Sequence, residues 1–162
     1  MKKIIVIGCP GSGKSTFSRA LAAKTGIPLY HLDMLYWNAD GTAVEKSVFL
    51  DRLAAALADD AWIIDGNYSS TVEMRLSLCD TVFFLDMPAS VCLNGIKERR
   101  GRARPDMPWI ETKEDEAFTE FVLRFEEAER PKLLSLFEKY PEKTVITLKT
   151  HAEADAFLNN LA

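Results

Sequence analysis

Five short runs of apolar, β-branched and aromatic residues punctuate the chain, at Lys3 to Ile7, Pro28 to Leu32, Ala61 to Ile64, Thr81 to Leu85 and Thr144 to Leu148. Each is continuous rather than alternating, the pattern of a strand buried on both faces. Between them stand stretches with helical periodicity: Lys14 to Lys24, roughly Ser47 to Ala58, roughly Ser70 to Leu78, Ala89 to Arg100, Glu114 to Tyr140 and Ala152 to Leu161. In the second of these, Leu50, Leu53 and Leu57 recur on one stripe while Asp51, Arg52 and Asp59 fall elsewhere, as on a helix packed against a sheet. This alternation of strand and helix predicts an α/β fold, a three-layer α/β/α sandwich whose parallel strands are joined by right-handed crossovers. Ligands in such sheets bind beyond the carboxyl ends of the strands. Pro131, inside the longest helical stretch, predicts a kink or the first turn of a new helix.

A chain of 162 residues with 48% hydrophobic content is the size of one compact domain, and no linker or repeat divides residues 1–162. The 24 acidic and 20 basic residues leave a formal net charge of -4. The average surface therefore repels nucleic acid, and direct nucleic-acid binding is not expected. Cys9, Cys79 and Cys92 cannot all pair with one another and lack metal-ligand spacing, so they read as reduced thiols of a cytoplasmic protein. The apolar residues before Gly8 are too few for a signal-peptide core or a membrane span.

The segment Gly8-Cys9-Pro10-Gly11-Ser12-Gly13-Lys14-Ser15-Thr16 fits GxxxxGK[ST], the Walker A pattern, at every fixed position. It directly follows an apolar strand and directly precedes a helical stretch, the two contexts the motif requires. A polyphosphate needs many donors at close range, and the amides from Gly11 through Ser12, Gly13 and Lys14 to Ser15 form an anion nest at a helix N-terminus. Lys14 reaches the β- and γ-phosphates, the Ser15 hydroxyl coordinates Mg²⁺, and Thr16 touches the α-phosphate. Cys9 reads as a small filler.

Two aspartates end predicted strands and point toward the same mouth. Asp33 follows Leu29-Tyr30-His31-Leu32, and Asp65 follows Ala61-Trp62-Ile63-Ile64. Either serves as magnesium ligand or as base; Asp86, before Pro88, reads as a turn or cap residue. From Lys97 to Arg104 the chain carries five cations in eight residues. A solvated basic face, a nucleic-acid patch and a phosphate lid are the competing readings; the lack of interleaved aromatics and the acidic balance weigh against the nucleic-acid patch, and the lid is the reading taken. Arginines closing over a phosphoryl group spread its transition-state charge and exclude water, with Gly101 and Pro105 flanking the moving part. Arg124 and Arg130 either fold inward too or pair with neighbouring glutamates.

Gly8 to Thr16, Trp62-Ile63-Ile64-Asp65-Gly66 and Arg99-Arg100 together resemble the nucleoside monophosphate kinase group of P-loop proteins, which includes adenylate kinase and, more distantly, shikimate and gluconate kinases. More closely, Cys9 to Thr16, His31-Leu32-Asp33, Trp62 to Tyr68 and Arg104-Pro105-Asp106 are similar to the bacterial adenylate-kinase-related proteins labelled DNA topology modulation or FlaR-like proteins. The likeness covers nearly the whole chain. It implies a P-loop NTPase fold with a five-stranded parallel sheet in the order 2-3-1-4-5, a short lid at about 100–112, ATP and Mg²⁺ at the P-loop, and an acceptor pocket between the second and third strand regions. Adenine contacts are implied near Lys149 to His151. The chain departs from adenylate kinases after Asp65-Gly66, where Asn67-Tyr68-Ser69 replaces the Phe-Pro-Arg that grips the acceptor phosphate. Arg75 either substitutes, or the acceptor lacks a phosphate and Asp33 orients or deprotonates its hydroxyl.

The reading these residues support is a small-molecule kinase that moves the γ-phosphoryl group of ATP to a nucleotide or small hydroxylated acceptor. Lys14, Arg99 and Asp33 are its catalytic residues. Ser15 and Asp65 hold magnesium, and Arg100 and Arg104 add lid cations. Asp33, Tyr36, Trp37, Asn67, Tyr68, Arg75 and Arg124 line the acceptor side. The alternative is a nucleotide-dependent regulatory module, tied to DNA topology, with slow ATPase activity.

Overall fold

The computed structural model describes residues 1–161. Strand β1 (Lys3–Gly8) runs into the glycine-rich loop and helix α1 (Lys14–Thr25). There follow β2 (Leu29–His31), α2 (Leu32–Tyr36), α3 (Lys46–Leu57), β3 (Trp62–Asp65), α4 (Ser69–Leu78), β4 (Thr81–Leu85) and α5 (Ala89–Arg99). The chain closes with α6 (Glu116–Ala128), α7 (Arg130–Glu138), β5 (Thr144–Leu148) and α8 (His151–Asn160). All four strand pairings are parallel and the order is β2-β3-β1-β4-β5, as the resemblance implied.

The central strand β1 shows why a continuous apolar run was required. Ile4 and Val6 pack with Phe17 and Leu21 of α1, Cys92 and Ile96 of α5, Phe125 of α6 and Leu158 of α8. Ile5 and Ile7 pack on the opposite face with Leu53 of α3, Leu76 of α4 and Phe137 of α7. Two cores sandwich the sheet, and the strands with a neighbour on each side are buried, apart from half-buried Lys3 at the start of β1. The edge strands differ from the expectation of burial: β2 is only half-buried, and Thr144, Val145 and Thr147 of β5 are exposed. A strand with one neighbour has a flank that helices do not cover.

Local structure meets the expectation at Pro131 and departs from the sequence reading at α2 and on α3. The long helical stretch is two helices broken at Glu129, with Pro131 in the first turn of α7, where its missing N–H is harmless. The short helix α2 went unforeseen. On α3 the buried stripe is Phe49, Leu53, Ala56 and Leu57, with Leu50 only half-buried. Between α5 and α6, residues 100–115 form an excursion pinned by the Gly101 N–H donating to the Glu111 carbonyl at 2.7 Å. Among the described residues no helix is long and apolar enough to cross a membrane.

Candidate functional site

The glycine-rich loop turns with Gly11 and Gly13 both at positive φ, 82° and 95°. Gly13 is the N-cap of α1 and no side chain caps that end, so its amides stand open to an anion. Lys14 Nζ folds back to donate to the carbonyls of Gly8 at 2.9 Å and Cys9 at 3.1 Å. Burial pushes its ammonium below the usual lysine range, while Asp65 and Asp33 lie close enough to oppose that shift. Ser12 is fully buried with an unpartnered hydroxyl, and its carbonyl meets His151 Nε2 at 3.1 Å. That contact fastens the start of α8 to the loop. Cys9 is buried; a hydrogen bond with the Cys92 thiol and desolvation push its thiol well above the ordinary value, which suits a filler.

The carboxyl ends of β2 and β3 meet beside this loop because the register pairs His31 with Asp65. His31 Nδ1 and Asp65 Oδ2 are 2.8 Å apart, and Asp65 is buried. Asp33, two residues on in α2, accepts the Tyr68 hydroxyl at 2.5 Å. Desolvation holds the Asp33 carboxyl above the usual carboxylate range, partly offset by that hydrogen bond and by Lys14. Asn67 Oδ1 accepts the Gly8 N–H at 3.2 Å, so Asn67 braces the loop's entry. Sequence assigns His31 no role; its only signal there is its place two residues before Asp33.

Tyr68 is the only non-glycine residue with positive φ among those described, at 39°. Such a conformation costs about 1–3 kcal/mol and persists only where surroundings enforce it. Arg75 enforces it. Its guanidinium is fully buried and donates to the carbonyls of Gly66 at 3.1 Å, Asn67 and Tyr68, and to Thr71 Oγ1 at 3.3 Å. Arg75 therefore faces the chain's own backbone, a correction to its place among acceptor-lining residues. Arg124 is corrected as well: it stands exposed on α6 and pairs with Glu120 one turn away. Arg130 forms a two-pronged pair with Asp86, whose role is thus an ion pair rather than a cap.

The basic stretch divides by direction. Arg102 is exposed and Arg100 half-exposed, whereas Arg99 and Arg104 turn inward and each keeps a buried N–H without a hydrogen-bond partner. Glu111 Oε2 lies 3.6 Å from Arg99 Nε and 3.7 Å from Arg104 Nη2, too far to satisfy them. Burial and the neighbouring Arg104 hold the Arg99 guanidinium below its usual pKa. The two arginines thus stand against Glu111 and Asp106, each with a buried donor left over. Beyond them, Tyr36 packs on Trp37, Tyr68 and Phe49 with ring centroids 4.9–5.5 Å apart, and Trp109 of the excursion closes on Trp37 at 5.7 Å. Tyr36, Trp37 and Tyr68 thus form one aromatic wall beside Asp33, capped by Trp109 of the excursion.

No three His, Cys, Asp or Glu side chains among the described residues converge to cage a metal. The donors present are hard oxygens, the Ser15 hydroxyl and the carboxylates at the ends of β2 and β3. That set fits magnesium, which takes one or two protein oxygens together with phosphates and keeps the rest of its water.

No family model matches the chain, and no curated protein matches it by sequence. Solved structures do. Shikimate kinase from Acinetobacter baumannii in complex with shikimate is similar over 100% of this chain and 96% of that one, with 18% identity and a TM-score of 0.64. Shikimate kinase from Bacteroides thetaiotaomicron aligns over 98% and 94%, with 17% identity and a TM-score of 0.61. Deoxyadenosine kinase from M. mycoides with bound dATP aligns over 98% of each chain, with 16% identity and a TM-score of 0.54. The likeness is one of fold: a five-stranded parallel sheet in the order β2-β3-β1-β4-β5 with helices on both faces.

Proposed function

We propose that this protein transfers the γ-phosphoryl group of MgATP to a hydroxyl of a small acceptor held between Asp33, the aromatic wall and the lid. The observation that carries the proposal is the uncapped N-terminus of α1 behind the glycine-rich loop, with Lys14 Nζ folded onto the Gly8 and Cys9 carbonyls, together with inward-turned Arg99 and Arg104, which each keep a buried N–H without a partner. Phosphoryl transfer needs positioning and charge stabilisation above all, and these groups supply both.

Lys14 and the amides from Gly11 to Thr16 grip the phosphates. Ser15 and Asp65 would hold magnesium, which would supply positive charge to offset that of the phosphates. Arg99, with Arg104 and Arg100, closes over the transferred group and excludes water. Asp33 accepts the acceptor's hydroxyl proton, and Tyr68 aims the carboxylate that receives it. The raised pKa of Asp33 makes it a better base than an exposed aspartate. The resemblance to DNA topology modulation proteins enters only as nucleotide handling; the net charge of -4 gives duplex DNA no general footprint. Three unpaired, buried cysteines fit a reducing cytoplasm.

The test is ATP labelled on its γ-phosphate, incubated with nucleoside monophosphates, nucleosides, sugars and hydroxy acids, with duplex DNA in parallel. Label transferred to one acceptor class supports the proposal. Hydrolysis stimulated by DNA alone, with no acceptor labelled, replaces it with the regulatory alternative.

A further inference from the structure

Arg19 lies one turn beyond Ser15 on α1 and takes no part in the chemistry above. Its Nη1 donates to Ser15 Oγ at 2.5 Å and its Nη2 approaches Thr16 Oγ1 at 3.4 Å. Ser15 Oγ is the oxygen that the proposed function gives to magnesium. A guanidinium and a divalent cation on one hydroxyl repel strongly at such range. Arg19 must therefore leave when the metal arrives.

The anion waiting for it is Asp106, whose Oδ1 lies 4.0 Å from Arg19 Nη1. Asp106 belongs to the lid, is buried, and accepts Arg104 Nη1 on its other oxygen at 3.3 Å. Arg104 and Arg99 share Glu111. Ser15, Arg19, Asp106, Arg104, Glu111 and Arg99 thus form one polar chain, from the metal-bearing hydroxyl to the lid arginine. The two ends of its central link differ in freedom: the Arg19 side chain is 39% exposed and Asp106 10%. The guanidinium is the part that swings.

We infer that Arg19 is a positioning residue that couples magnesium occupancy at Ser15 to closure of the lid. The metal displaces the guanidinium from Ser15 onto Asp106 Oδ1. Asp106 then holds a cation on each oxygen, tying the lid to α1 and seating Arg104 and Arg99 over the phosphates. Coupling of this kind is reciprocal, so a closed lid clears Ser15 for the metal. The two-pronged fork suits the task, because one guanidinium can bridge two acceptors where an ammonium acts as a point charge. The inference rests on the MgATP reading of the P-loop.

The experiment uses the full-length protein with a non-hydrolysable ATP analogue, with and without Mg²⁺. It reads amide hydrogen exchange of residues 100–115 beside analogue affinity by calorimetry. In the wild type, Mg²⁺ added to the analogue complex slows exchange across the lid about ten-fold or more, the scale of a coupling in the usual allosteric range. Arg19→Ala and Asp106→Asn each keep metal-free analogue binding yet reduce that slowing to under about two-fold on the same scale. The double variant is no worse than either alone, and Arg19→Lys restores part of the response. If Asp106→Asn does not fold, Arg19→Gln carries the same comparison from the exposed end. Full slowing in Arg19→Ala overturns the relay and leaves the nucleotide site standing; so does loss of metal-free binding in that variant, which would make Arg19 a phosphate ligand. Failure of the wild type to bind the analogue overturns the nucleotide site and the relay together.

Discussion

Gly95 of α5 and Gly11 of the phosphate loop touch backbone to backbone: a methyl added at Gly95 would come within 2.2 Å of the Gly11 carbonyl oxygen. One added at Gly11 would come within 2.0 Å of the Cys92 carbonyl oxygen. The helix that ends in Arg99 therefore rests directly on the glycine-rich loop, so in the proposed reading the root of the lid and the phosphate cradle move together.

Gly95→Ala forces α5 off the loop. Overpacking of this kind costs about 1–3 kcal/mol. Thermal melting should show that loss, and calorimetry should show weaker ATP binding although residue 95 touches no phosphate in the proposed reading.

Lys14→Ala removes the ammonium but leaves the nest of amides. A charge-assisted hydrogen bond contributes about 1.5–3 kcal/mol, so ATP affinity should fall roughly 10- to 100-fold. The melting temperature should hold or rise, because a desolvated cation is lost.

Arg99→Ala should reduce kcat by about 10²- to 10³-fold, the effect of removing one donor to transition-state charge. ATP affinity should change far less. Equal losses in both would assign Arg99 to ground-state binding.

Asp33→Asn should lower kcat about 10²- to 10⁴-fold with ATP affinity kept. Because Asp33 titrates above the usual carboxylate range, the acid limb of the wild-type profile lies above that range and the activity is lost as pH falls through it. Tyr68→Phe removes a hydrogen bond that favours the ionised form, so the limb should move to still higher pH. The sign for stability is opposite to that of an ion-paired aspartate. A folded-state pKa above the unfolded one stabilises at low pH and is lost as pH rises through it, so Asp33→Asn should melt higher than wild type at neutral pH and lose the advantage in acid.

Arg75→Met leaves the carbonyls of Gly66, Asn67 and Tyr68 without their buried donor. An orphaned buried acceptor costs about 1–3 kcal/mol, so chemical denaturation should register several kcal/mol. In the surviving fold Tyr68 relaxes from its left-handed conformation, and the pH profile should shift as in Tyr68→Phe.

Some of this was legible in the chain alone. The P-loop is local: a strand, a glycine turn and a helix start lie within fifteen residues, so composition and order specify their geometry together. The inner strands β1, β3 and β4 were legible because continuous apolarity reports burial on both faces, whereas the runs of β2 and β5 marked strands but overstated their burial. Pro131 marked the break between α6 and α7 for the same local reason. What only the tertiary structure decided is the direction of polar side chains. Arg75 and Arg124 each sit on a helix with equal claim to the site, and packing turned one onto the 66–68 backbone and left the other in solvent. His31 meets Asp65, Tyr68 meets Asp33 and Arg19 faces Asp106 across separations that no periodicity spans. Hydrophobic spacing sets which face of an element is buried; which polar partner arrives there depends on how separate elements dock, and that is a property of the assembled sheet and helices.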